Sequence, residues 1–229
     1  MTVDESHLRI EVASRVDEPG PAAIEGDLRT SDDPKGVVVF AHGSGSSRMS
    51  PRNRTVASVL NDAGFATLLV DLLTAAEESV DVRTRRLRFD IGLLAERLLA
   101  AGEAVSRLSE VPRLPMGLFG ASTGAAAALV AATRAEGVRS IVSRGGRPDL
   151  AGDALPQVRA PTLLIVGGRD LDVLAMNRDA AARMTCEREI ALVPGATHLF
   201  EEPGALDEVA RLATAWFVRF LAEPSQGPA

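Results

Sequence analysis

From Gly36 onward, short apolar runs alternate with longer stretches of helical spacing. Gly36 to Ala41 is a valine-rich run that follows the polar turn Ser31 to Lys35, the pattern of a strand buried on both faces. Phe65 to Asp71 reads the same way, and between them Asn53 to Ala63 has helical spacing with Gly64 as its stop. A long helix then carries Leu87, Ile91, Leu94 and Leu98 on one face, followed by a strand over Met116 to Phe119 and an alanine-rich helix from Thr123 to Arg134. Val138 to Val142, Thr162 to Val166 and Glu189 to Val193 read as further strands, with helices over Val173 to Met184 and Leu206 to Leu221. Ahead of this series, His7 to Ser14 alternates apolar and polar residues. The turn Glu18-Pro19-Gly20-Pro21 leads into a second extended run, Ala22 to Arg29, so residues 1–30 read as an edge hairpin. The alternation predicts an α/β fold with a mainly parallel sheet covered by helices on both faces. Gly145 to Gln157 is too short to separate two domains, so a single domain over 1–229 is expected, with no large lid and with Pro224 to Ala229 as a frayed tail.

Composition narrows the function classes. The 229 residues carry 25 basic and 31 acidic side chains, a net charge of −6, which argues against broad nucleic-acid or membrane-surface binding. No apolar run reaches the roughly 18 to 20 residues a membrane helix needs, and Met1 to Ile10 lacks the basic start and apolar core of an export signal. A cytoplasmic protein is expected. Cys186 is the lone cysteine, so no internal disulfide forms, and no Cys/His spacing reads as a metal site. Lys35 is the sole lysine and sits in a polar turn, which leaves little room for Schiff-base chemistry. With no tyrosine and few aromatics, a carbohydrate-stacking groove is not expected.

The sharpest chemical signal is Gly120-Ala121-Ser122-Thr123-Gly124, a G-x-S-x-G between an apolar strand and the alanine-rich helix. Glycines two residues either side of a serine let the chain turn sharply, so that the hydroxyl projects at a helix N-terminus, where free N–H groups favour developing negative charge. The bland reading is a helix cap. A serine hydroxyl needs a base. His7 lies on the edge strand and reads as a surface residue, and His42 follows the first buried strand and reads as loop support. His198 follows the last strand, where the loops of a parallel sheet gather at one edge. Asp170, after Thr162 to Val166 and Gly167-Gly168, is placed to orient that histidine; Asp172 is the competitor, otherwise a cap for the next helix. The chain order serine, acid, histidine is that of an α/β-hydrolase. Oxyanion donors are expected from the backbone of Thr123 and, in His42-Gly43-Ser44-Gly45, of Ser44.

Through Val37 to Gly45, Asp71-Leu72-Leu73, Gly120 to Gly124, Gly167 to Asp170 and Gly195 to Phe200, the chain resembles the α/β-hydrolase superfamily and, within it, the dienelactone hydrolase-like proteins. The resemblance runs from Lys35 to Leu221 and implies a small, nearly lidless hydrolase with a sheet of about eight strands and a Ser122, Asp170, His198 triad. Dienelactone hydrolases proper carry a cysteine nucleophile. Here the position is Ser122, and Cys186 lies near a helix end, which makes a generic carboxylic ester the expected substrate. The chain is also similar to the hydrolase-like module found joined to a phosphoribosyltransferase domain, a domain not expected within these residues.

Weaker signals surround the same edge. Arg144 and Arg147 follow the strand after the serine helix and suit a carboxylate or phosphate, unless they pair with acids such as Asp149 or Asp71. Arg48, Arg52 and Arg54 read as a solvated helix start, and Asp71 as a hydrogen-bond partner for a loop. Glu77 and Glu78 read as solvated charge, and Glu201 and Glu202 as the start of the last helix. The residues thus predict a cofactor-free, metal-free serine hydrolase for a small ester or lactone. An acyltransferase or thioesterase with the same triad, and a non-catalytic binding module on this fold, are the alternatives. Nothing in the pattern sets the oligomeric state.

Overall fold

The computed structural model describes residues 3–17, 20–108 and 114–222. Strands β1 (Val3–Glu11) and β2 (Ala23–Ser31) pair antiparallel with Val3 opposite Ser31, the expected hairpin. Its turn residues Glu18 and Pro19, and the tail Pro224 to Ala229, lie outside the described residues. Strand β2 pairs antiparallel with β4 (Ala66–Val70). Strands β3 (Val37–Ala41), β5 (Met116–Ala121), β6 (Val138–Arg144), β7 (Thr162–Gly167) and β8 (Arg188–Val193) complete one sheet in the order β1-β2-β4-β3-β5-β6-β7-β8. From β3 the chain passes to β4 on one side and later to β5 on the other. That reversal of order opens a crevice at the carboxyl ends of β3 and β5.

Burial on both faces accounts for the continuous apolar runs. Val37, Val39 and Ala41 of β3 enter one core layer with α3 (Ile91–Ser106) and α4 (Thr123–Ala132), while Val38 and Phe40 enter the opposite layer with α1 (Pro51–Asp62) and α6 (Ala205–Leu221). Helix α5 (Leu171–Arg183) adds Ala180 to the α3/α4 layer. Helix α4 lies between α3 and the sheet, buried from Thr123 to Leu129, so Ala126, Ala127 and Ala128 have no exposed surface and its apolar positions cover nearly every face. No helix among the described residues is long and apolar enough to cross a membrane.

The structure corrects two expectations. Leu87 precedes α3 in a separate turn of 3-10 helix, Leu87–Phe89, and a further helix, α2 (Ala75–Thr84), stands where Glu77 and Glu78 read as solvated helix or loop charge. Thr74 and Glu77 start α2 with a reciprocal capping box, a signature present in Thr74-Ala75-Ala76-Glu77. Glu77 is therefore not solvated. It is fully buried, accepting from Arg97 Nη2 at 2.6 Å, from the Arg15 N–H at 2.8 Å and from the Thr74 N–H at 2.9 Å. Arg97, 3% exposed, also donates to the Ala13 carbonyl at 2.7 Å, so one ion pair ties α2 and α3 to the segment after β1. Glu78 is exposed, as read. The second correction concerns Glu201 and Glu202, which lie in the loop before α6; the acids in the first turn of that helix are Asp207 and Glu208.

Removing one member of a fully buried pair leaves the other charge uncompensated. Glu77→Ala is therefore expected to cost about 3 to 5 kcal/mol in urea unfolding, and Glu78→Ala about 0.5 kcal/mol or less. An equal effect of the two would contradict the burial of Glu77.

Candidate active site

The turn from β5 into α4 places Ser122 at φ 50° and ψ −120°, in the left-handed region that a side chain rarely adopts. Close approach holds it there. A Cβ on Gly120 would lie 2.6 Å from the Ala125 nitrogen, and one on Gly124 would collide with the Ala41 carbonyl oxygen and lie 2.5 Å from that of His42. Helix α4 can start against the end of β3 only because Gly124 lacks a side chain, and can turn back over the end of β5 only because Gly120 does. Ser122 makes no side-chain cap to its helix, so the capping alternative is not what the geometry shows. Its N–H donates to the Arg144 carbonyl at 3.3 Å, and its own carbonyl accepts from the Arg147 N–H at 3.1 Å, fixing it to the end of β6.

The loops after β7 and β8 are joined in the same manner. A Cβ on Gly167 would lie 2.5 Å from the Ala196 oxygen and 2.6 Å from the Thr197 oxygen, and the Arg169 N–H donates to the Ala196 carbonyl at 2.9 Å. This contact brings Asp170 Oδ2 to 2.7 Å from His198 Nδ1. Asp170 stands at the N-cap position of α5 but does not cap it, since its carboxylate is turned to the histidine; Asp172 is exposed in the first turn of that helix. Glu202 accepts from the Thr197 N–H at 3.0 Å and Phe200 sits at φ 56°, so both shape the loop that carries His198. Ser122 and His198 adjoin the same turn. Arg144 bonds the serine backbone, and a Cβ on Gly145 would lie 3.1 Å from the His198 oxygen and 3.6 Å from its Cε1.

Gly43 in the loop after β3 approaches the serine, its Cβ position lying 3.1 Å from Ser122 Cβ, and Ser44 beside it is exposed. The backbone N–H groups of Ser44 and Thr123 donate to no protein acceptor among the described residues. His42 supports this loop as expected: Nδ1 donates to the Gly43 carbonyl at 2.9 Å and Nε2 accepts from the Leu72 N–H at 3.1 Å. His7 lies far from the site, exposed between Glu25 and Asp27. Asp71 accepts from the Arg48 N–H at 2.7 Å and pairs with its guanidinium, the loop-holding role read for it.

The arginines divide. Arg147 is clamped by Asp149 through two bonds of 2.9 and 2.7 Å. Arg52 pairs with Glu201 and Arg54 with Asp27, so these two are ion-paired rather than merely solvated. Arg144 is buried, its Nη1 has no partner, and burial together with repulsion from Arg52 pulls its pKa down to about 10.

Sheet order, elbow and loop placement define an α/β-hydrolase fold. The model of the dienelactone hydrolase family matches residues 24–222, and the chain belongs to that family. A crystal structure of a dienelactone hydrolase from Anabaena variabilis is 54% identical, with a TM-score of 0.89 over 96% of this chain and 99% of that one. Est1E from Butyrivibrio proteoclasticus shares the fold at 14% identity, with a TM-score of 0.75 over 95% of this chain and 99% of that one. A Mycobacterium tuberculosis protein named as a candidate phosphoribosyl transferase is 57% identical over 206 residues, which are 90% of this chain and 46% of that protein. The chain thus spans about half the length of the curated relatives it matches.

The half-buried imidazole of His42 generates a pH prediction. Burial, partly opposed by the Gly43 hydrogen bond, holds its pKa below the usual 6.5, so the folded state resists its protonation. Its stabilising contribution is complete above pH 6.5 and is lost as pH falls below that value. His7 has the opposite sign, because hydrogen bonds to Asp27 and Glu25 raise its pKa; its contribution is complete below 6.5 and fades as pH rises through the raised value. Urea unfolding in the His7→Gln background should lose stability from pH 7 to pH 5, and His42→Gln should flatten that slope. An unchanged slope would refute the assignment.

Proposed function

We propose that this chain is a serine hydrolase that cleaves a small carboxylic ester or lactone through an acyl-Ser122 intermediate. The observation that carries the reading is a serine strained at φ 50° on a strand-to-helix turn, at the same sheet edge as a histidine whose Nδ1 lies 2.7 Å from a carboxylate. Membership of the dienelactone hydrolase family supports it.

The roles follow from the chemistry. Asp170 accepts a hydrogen bond from the Nδ1–H of His198, which fixes the tautomer with Nε2 unprotonated and able to take the Ser122 hydroxyl proton. Ser122 Oγ bonds to the ester carbonyl carbon, and the resulting oxyanion is held by the free N–H groups of Thr123 and Ser44. The C–O bond to the leaving alcohol breaks as His198 returns the proton to it. Water then attacks the acyl-serine, His198 takes its proton, and the acid product leaves with Ser122 restored. Asp170 also stabilises the imidazolium formed in each half-reaction. These steps use side-chain and backbone groups alone.

Labelling by a fluorophosphonate and turnover of short-chain nitrophenyl esters are expected in the wild type, with both lost in Ser122→Ala. Asp170→Asn is expected to lower kcat by about 10⁴-fold while Asp172→Asn stays within about threefold. A Ser122→Ala variant with full turnover, or an Asp172→Asn loss larger than that of Asp170→Asn, would refute the assignment.

A further inference from the structure

Of Arg48, Arg52, Arg144 and Arg147, all but Arg144 have a carboxylate partner. Arg48 pairs with Asp71, Arg52 with Glu201 and Arg147 with Asp149, whereas no acid among the described residues pairs with Arg144. Arg144 is also the most deeply placed of the four, 8% exposed with Nη1 unbonded. It ends β6, its carbonyl bonds the Ser122 N–H, and the next residue packs against His198. A buried guanidinium without a counter-charge is strongly unfavourable, and the fold supplies more positive charge instead of relieving it. Arg52 repels it, and the first turn of α1, where Arg52 stands, has no acidic residue to offset the positive helix end.

We propose that Arg144 is an anion-binding residue of this site: its guanidinium, with Arg52 as a second cation, holds a carboxylate or phosphate group beside Ser122 and His198. The planar fork suits either anion, and a bound anion relieves both the unpaired Nη1 and the repulsion between the two arginines. Arg147, clamped by Asp149 through two bonds, takes no part, whereas Arg52 meets Glu201 through Nη1 alone and its Nε has no partner. The anion is either part of the substrate, in which case the inference rests on the acyl-serine reading, or a free ion bound next to the reacting groups.

The test compares kcat/KM for a nitrophenyl hemisuccinate with that for nitrophenyl butyrate, together with calorimetric titration of inorganic phosphate. Both are run on the wild type, Arg144→Met, Arg144→Lys and Arg52→Ala. For a substrate-borne anion, the acidic-to-neutral ratio falls about tenfold or more in Arg144→Met and less in Arg144→Lys, which keeps the charge but not the fork. For a free anion, the ratio holds, but phosphate binds the wild type and its binding is lost in Arg144→Met. Should Arg144→Met not fold, Arg144→Lys and Arg52→Ala carry the same comparison. A ratio that holds in all variants, together with no phosphate binding to the wild type, overturns the proposal. If the wild type neither turns over an ester nor takes the fluorophosphonate, the acyl-serine reading fails separately. The phosphate titration then decides Arg144 alone: binding lost in the variants supports it, and no binding to the wild type overturns it.

Discussion

The contact between Gly124 and the carbonyl oxygens of Ala41 and His42 is the constraint around which the site end of this protein is arranged. It lets α4 start against the end of β3 with no intervening side chain, and so places Ser122 in a left-handed conformation at the point where strand order reverses. Holding a non-glycine residue there costs about 1 to 3 kcal/mol, which a packed surround can sustain. Here the surround is α4 itself, with Ala126 to Ala128 fully enclosed between α3 and the sheet. The alanine-rich sequence of α4 and the glycines of the elbow thus answer one requirement, close approach of a helix to a strand end.

Loop order at the same edge is maintained by polar groups that are each accounted for locally. His42 spans Gly43 and Leu72, Asp71 fastens the Arg48 backbone, and Glu202 fastens Thr197. Farther along, Glu77 and Arg97 clamp α2 and α3 to the chain after β1. Such groups are dear to bury singly and stable when fully bonded, so they specify loop positions more sharply than apolar packing does. Arg144 breaks this pattern, because its buried Nη1 has no partner.

The periodic parts of the fold were legible before any coordinates. Valine-rich runs bounded by polar turns located the buried strands, and G-x-S-x-G between a strand and an apolar helix located the elbow. What escaped was set by partners distant in sequence. Glu77 has an ordinary surface-helix context, and only the capping box hinted at α2; its burial depends on Arg97 and Arg15, which the sequence does not place beside it. Glu201 and Glu202 look like the start of a helix, yet Glu202 is drawn to the Thr197 N–H and α6 begins later, at Ala205.

The sequence by itself determined the strand series and the helices other than α2, the hairpin at its start and the residue types available for chemistry, because burial on one or two faces imposes a period that can be read locally. Only the tertiary structure decided that Asp170 rather than Asp172 faces His198, that Gly43 lies against Ser122, and that Arg147 is paired while Arg144 is not. These choices turn on which way a side chain points at a loop and on which charges lie across a sheet edge. Both arise from contacts between residues tens of positions apart, where no local period carries the information.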